Sequence, residues 1–153
     1  MTPYVWFLAV VVAFGLLAMV CVPHPVGAAR TFEKYEGKAA TTVKGSLSDV
    51  ATVSLVANTR LRGRSLAPYA ATVVSDAEEQ LSKHQGTFDS IQPPNGRADR
   101  LQREVDELLS RALDDVRRAR VVTRRNDRDG LRRVASALRG DAKTLNEFVE
   151  RHQ

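Results

Sequence analysis

The residues best placed to do chemistry in this sequence are arginines. Arg117, Arg118, Arg120, Arg124, Arg125, Arg128, Arg132 and Arg133 crowd into one short stretch whose acids are Asp127 and Asp129. A smaller group, Arg60, Arg62 and Arg64, stands earlier in the chain. A guanidinium stays charged at every physiological pH and offers a planar fork of donors that matches carboxylate and phosphate. The chemistry this implies is anion binding: an acidic protein or an anionic polymer. Nucleic acid fits less well, because no aromatic residues interleave with these arginines to stack bases and no helix-turn-helix pattern is present. The plainer explanation is a solvated helix end, since cations in a last turn offset the helix dipole, which suits Arg117 to Arg125.

Other chemistries find little support. The histidines are His24, His84 and His152, with no spacing that a metal site needs, and no glutamate has a histidine three residues on, as ferritin-like di-iron helices require. No metal and no cofactor is expected. His84 falls on an apolar stripe, where a boundary histidine with a hydrogen-bond partner is the simpler reading than a proton switch. Serines and threonines are plentiful, yet none sits in a strained elbow or beside an assignable base. There is no glycine-rich phosphate loop with its lysine. The sequence points to a protein that is not an enzyme.

What must position the arginines is helical. Val43, Leu47, Val50, Val53, Ala57 and Leu61 recur every three or four residues, the spacing of one helix face, in a helix that begins between Phe32 and Lys44 and stops at Gly63. Ser65 is a good N-cap for a second helix with Pro68 in its first turn. Leu66, Ala70, Val73, Ala77, Leu81 and His84 line one side of it, and it ends at Gly86 or runs on to Ile91. Gln92-Pro93-Pro94-Asn95-Gly96 is the clearest break in the chain. A third stripe holds Leu101, Val105, Leu108, Ala112, Val116 and Ala119, with Arg103–Glu107, Glu107–Arg111 and Asp114–Arg118 as candidate surface pairs. Asp127 is placed to cap a fourth helix, whose stripe of Leu131, Val134, Leu138, Ala142, Leu145 and Val149 continues in phase through Gly140.

Four amphipathic helices joined by short turns predict an all-α domain, an antiparallel up-down-up-down bundle over residues 32–153. In that topology the turn carrying Arg60, Arg62 and Arg64 lies at the same end as the turn among the eight later arginines. The Pro93-Pro94 turn lies at the other.

Before the bundle, residues 1–29 contain no charged side chain. Val5 to Val22 is continuously apolar and, at 1.5 Å per residue, reaches roughly 27 Å, close to the hydrocarbon core of a bilayer. Tyr4 and Trp6 stand where an interfacial aromatic belt would be, and Pro23 and Pro25 end the run. Residues 1–22 therefore read as a single transmembrane anchor and 23–31 as a linker. A cleaved signal peptide, with Val26-Gly27-Ala28 at its cleavage site, is the competing reading, but the run is long for one and no lysine or arginine precedes it. Cys21, the one cysteine, lacks the neighbours of an acylated lipoprotein cysteine and reads as a small buried hydrophobe. Arg30, Lys34 and Lys38 follow the span and favour a cytoplasmic C-terminal domain.

A net charge of +5 biases encounters toward anions. The expected protein is a single-pass membrane protein whose helical bundle presents a basic, membrane-distal end as an interaction or scaffold module. The alternative is a structural or self-associating envelope protein, anchored or, if the leader is cleaved, secreted.

Overall fold

The computed structural model describes residues 29–153, so the apolar run Val5–Val22, Cys21 and His24 lie outside the described residues. Four helices make up the described chain: α1, Phe32–Leu61; α2, Ala67–Asp89; α3, Gly96–Arg124; and α4, Arg128–Arg151. No strand occurs among the described residues, and no helix among them is long and apolar enough to cross a membrane.

Each boundary has a local cause. Thr31 accepts a hydrogen bond from the Lys34 amide at 3.3 Å and starts α1 at the earliest of the expected positions. Gly63, with φ of 68°, takes the left-handed conformation that follows the helix end. Asn95 caps α3 through the amides of Arg97 and Ala98, at 3.1 and 3.0 Å. Asp127 caps α4 through those of Asp129 and Gly130, at 3.1 and 2.9 Å. Ser65 does not cap α2. The helix begins one residue later than a Ser65 cap would set it: the cap position is Leu66, without a side-chain bond, and the Ser65 carbonyl accepts from the Arg60 guanidinium at 3.0 Å. Gly86 does not end α2, which continues to Asp89, and α4 passes unbroken through Gly140.

The helices form a bundle in which α1 packs on α2, α3 and α4, and α3 packs on α2 and α4. Neighbours run antiparallel. Tyr35, in the first turn of α1, meets Phe88 in the last turn of α2 with ring centroids 5.3 Å apart. Glu36 meets His152, beyond the end of α4, at 2.8 Å, and Arg151 reaches Glu104, near the start of α3, at 2.8 Å. Tyr35, Phe88, Phe148, Leu81, Leu109, Leu138 and Leu145 are the large side chains buried at the centre. A small second cluster of Ala57, Leu131 and Ala135, joined by Leu61 and Val122, closes the arginine end.

The buried faces are turned slightly from the expected stripes. Leu109 and Val74 are buried where Leu108 and Val73 are only partly so, Phe148 is wholly buried, and Leu66 is 77 % exposed. A helix touching two or three neighbours buries a face wider than a three-four stripe, and its centre is set by where the neighbours stand. His84 is only half-buried. It lies over Gly45, where a Cβ would stand 3.0 Å from the ring Nε2, and faces Asp49 at 3.5 Å. Burial raises the Asp49 carboxyl pKa, and His84 pulls it back down.

Candidate functional site

The two arginine-bearing turns meet at one end of the bundle and are tied together by two of the arginines themselves. Arg60, in the last turn of α1, donates to the Asn126 side chain at 2.7 Å as well as to the Ser65 carbonyl. Arg128, the first residue of α4, donates to the Leu61 carbonyl at 2.9 Å. Asn126 holds a left-handed φ of 53° between α3 and α4, a conformation that asparagine tolerates better than most residues. These two arginines satisfy carbonyls and an amide at helix ends and are parts of the frame.

Arg117, Arg118 and Arg120 sit further back along α3. Arg117 and Arg120 turn toward α2 and clasp Glu78, at 3.8 and 2.6 Å, and Arg117 also meets Asp114 at 3.4 Å. Arg118 turns the other way, toward α4, and pairs with Asp115 at 2.7 Å. The pairs expected along α3, Arg103–Glu107, Glu107–Arg111 and Asp114–Arg118, do not form. Both ion pairs within α3 span three residues, which brings Arg117 to Asp114 and Arg118 to the buried Asp115. Arg132 pairs with Asp129 on α4. The remaining five, Arg62, Arg64, Arg124, Arg125 and Arg133, are exposed and have no hydrogen bond or ion pair through their side chains among the described residues.

Between α3 and α4, on this same end, runs an open groove of about 590 Å³. Val121, Val122, Val134 and Ala137 form its apolar lining, and Arg118 and Arg133 stand on opposite helices along it. Val121 is 43 % exposed in this setting. Gly130 lets the two helices close at the groove's end, since a Cβ there would come within 2.6 Å of Val122 Cγ1. The hollow between α2 and α3 differs in kind: Glu78, Glu79, Lys83, Arg117 and Arg120 line it, and Glu78 already holds both of its arginines.

Under the groove lies a feature that the sequence pattern does not announce. Asp115 on α3 and Asp141 on α4 are both buried, and they face one another. Burial, then the hydrogen bond and charge of Asp115, push the Asp141 pKa up to about 7, against the opposing pull of Arg111 and Arg118. The raised value favours a protonated Asp141 beside Asp115, whose own carboxylate meets Arg118 at 2.7 Å. A second pair lies toward the Pro93-Pro94 end, where burial and Asp89 push Asp106 up to about 6. The Tyr35 hydroxyl nearby is pushed up to about 12, by burial first and then by Asp106, Asp89 and Asp99. A polar residue three or four places from a stripe is the sequence signal for such a pair, and it is shared by every helix flank.

One aromatic side chain does stand beside an arginine of the cap. Tyr69, 62 % exposed, lines a shallow hollow with Arg64, Leu55 and Leu66 on the α1–α2 flank. Among the described residues no group of three or more histidine, cysteine or acidic side chains is arranged to hold a metal ion. The chain matches no protein-family model, no curated protein and no solved structure.

Proposed function

We propose that this protein is a membrane-tethered interaction module that binds an acidic protein partner through the arginine end of its bundle. The observation that carries the reading is the division of labour among the arginines. Six of the eleven are engaged with carboxylates, amides or carbonyls of the bundle, and five have no such partner among the described residues. A frame that needed arginine only to offset helix dipoles would not require Arg64, beyond the end of α1, or Arg133, in the second turn of α4. The chain enters α1 at the opposite end, beside the Pro93-Pro94 turn, so with Val5–Val22 in a bilayer the arginine end faces away from it.

The test uses the full chain in phosphatidylcholine nanodiscs with poly-L-glutamate as the probe. Binding is expected to weaken at least tenfold between 50 and 300 mM salt, since screening acts strongly on exposed charges. Replacing Arg62, Arg64, Arg124, Arg125 and Arg133 with glutamine should abolish it. Binding that ignores both changes would remove the proposal.

A second reading, self-association, is favoured by the exposed Leu55, Leu66 and Tyr69. Sedimentation of the same nanodisc-free chain in neutral detergent distinguishes the two. A dimer dissolved by Leu66→Ser supports self-association, whereas a monomer at all concentrations counts against it.

A further inference from the structure

We infer that the α3–α4 groove is the seat of an acidic amphipathic helix of the partner protein, laid with its apolar face on Val121, Val122, Val134 and Ala137. The inference rests on the acidic-partner reading above and adds the shape of the partner to it.

Three observations favour a helix over other occupants. The groove is an open trough between two antiparallel helices, the surface into which side-chain ridges of a third helix pack. Its lining runs from Asp115 to Val122 on α3 and from Gly130 to Ala137 on α4, about two helical turns, or roughly 10 Å, on each. That length matches apolar residues at positions i, i+3 or i+4, and i+7 of a visitor. Finally, the lining is apolar while the rims carry Arg118 and Arg133, and Arg125 follows one turn after Val121. An occupant that is apolar below and acidic along its sides complements both. An acyl chain would leave its upper face wet in so open a trough, whereas a helix brings its own polar back.

The buried Asp115 gives the groove a fixed floor, because its bond to Arg118 holds that guanidinium on the rim. Arg118 is therefore held by one carboxylate while still exposed to a second one from the partner, at its remaining N–H groups.

The experiment compares two synthetic peptides of one composition, sixteen residues of leucine, alanine and glutamate. In one, the leucines fall at i, i+3, i+4, i+7 and i+11; in the other, the order is scrambled. Both are titrated onto the full chain in phosphatidylcholine nanodiscs, with empty discs as the blank. The ordered peptide is expected to bind at least tenfold more tightly. Val121→Gln, which makes the lining polar at an exposed site, and Ala137→Trp, which fills the trough, should each erase that advantage and leave the weaker, salt-sensitive binding of the scrambled peptide. The fold of each variant is checked by its thermal unfolding. Equal binding of the two peptides to the native chain, or an advantage that survives both variants, overturns the helix seat while the acidic-partner reading stands. Displacement of the ordered peptide by dodecanoate, corrected for its uptake into empty discs, would assign the groove to an acyl chain instead. Loss of the peptide preference together with a Val121-dependent dimer would assign it to a second copy. If neither peptide nor poly-L-glutamate binds, both proposals fall together.

Discussion

The two ends of this bundle solve the same problem, closing four helices at their tips, with different chemistry. At the Pro93-Pro94 end the side chains turn inward. Tyr35 rests on Phe88, the Arg97 guanidinium lies 3.8 Å from the centre of the Phe32 ring, and His152 lies 4.3 Å from Phe148 while bonding Glu36. At the arginine end the core dwindles to Ala57, Leu131 and Ala135, and the closure is made by Arg60 and Arg128 reaching across to the opposite turn. Aromatic packing occupies the side chains that make it. Arginine closure uses a few guanidiniums and leaves their neighbours, Arg62, Arg124 and Arg125, facing water. The first end is built for stability and the second is left with surface to offer.

That contrast can be broken most violently at the aromatic end. Phe148→Ala removes a wholly buried ring and should lower unfolding free energy by about 3–5 kcal/mol in urea titrations. Any one of Arg62, Arg64, Arg124, Arg125 or Arg133 replaced by glutamine should change it by no more than about 0.5 kcal/mol.

The next effect concerns the carboxylate pair beneath the groove. Asp141 titrates near 7 when folded and near its ordinary 3.8 when unfolded. Between those values the folded chain holds a proton that the unfolded chain has lost. The slope of stability with pH is therefore negative: this contribution is complete below about pH 4 and is lost as pH rises through 7. Asp106, near 6, acts in the same direction. Asp141→Asn keeps a donor toward Asp115 without a charge, and should raise stability at pH 8 by on the order of 2 kcal/mol and flatten the pH profile. A variant whose profile matches that of the parent chain would refute the raised Asp141 pKa.

A finer contrast lies within α4 itself. Gly130→Ala should destabilise by roughly 1–3 kcal/mol despite alanine's better helix propensity, because its Cβ meets Val122 and Asp127. Gly140→Ala, with nothing within 4 Å of its Cβ, should stabilise by about 0.5–1 kcal/mol. Matched thermal melts of the two variants, moving in opposite directions, check that the groove's end is closed by the glycine.

Much of this architecture was legible in the residues. Periodicity located four helices, Asp127 announced its own capping role, and the in-phase passage of leucines through Gly140 showed one helix there. What periodicity could not show is the contact of one helix with another. Leu108 and Leu109 are equal candidates on α3 until α2 and α4 are in place, and Phe148 looks like an outlier until the bundle closes over it. None of the ion pairs expected at four-residue spacing forms: Asp114 and Arg118 pair three residues away instead, and Arg117 and Arg120 reach Glu78 on another helix. For the same reason the carboxylate pair stayed hidden. Asp115 and Asp141 stand on different helices, and nothing local to either signals the other. The arginine groups were visible at once, but which of them would be engaged in the frame depended on turns meeting in space.

The most direct test of the central claim sets the two ends against each other. In the full chain in phosphatidylcholine nanodiscs, one variant replaces Arg62, Arg64, Arg124, Arg125 and Arg133 with glutamine. The other replaces five cations nearer the opposite end, Arg30, Lys34, Lys38, Arg100 and Arg103. The two variants have equal net charge. Poly-L-glutamate at 50 mM salt should bind the second variant within about threefold of the parent chain and lose at least tenfold on the first. Equal losses in the two would mean that net charge alone attracts the probe and that the arginine end is not a site.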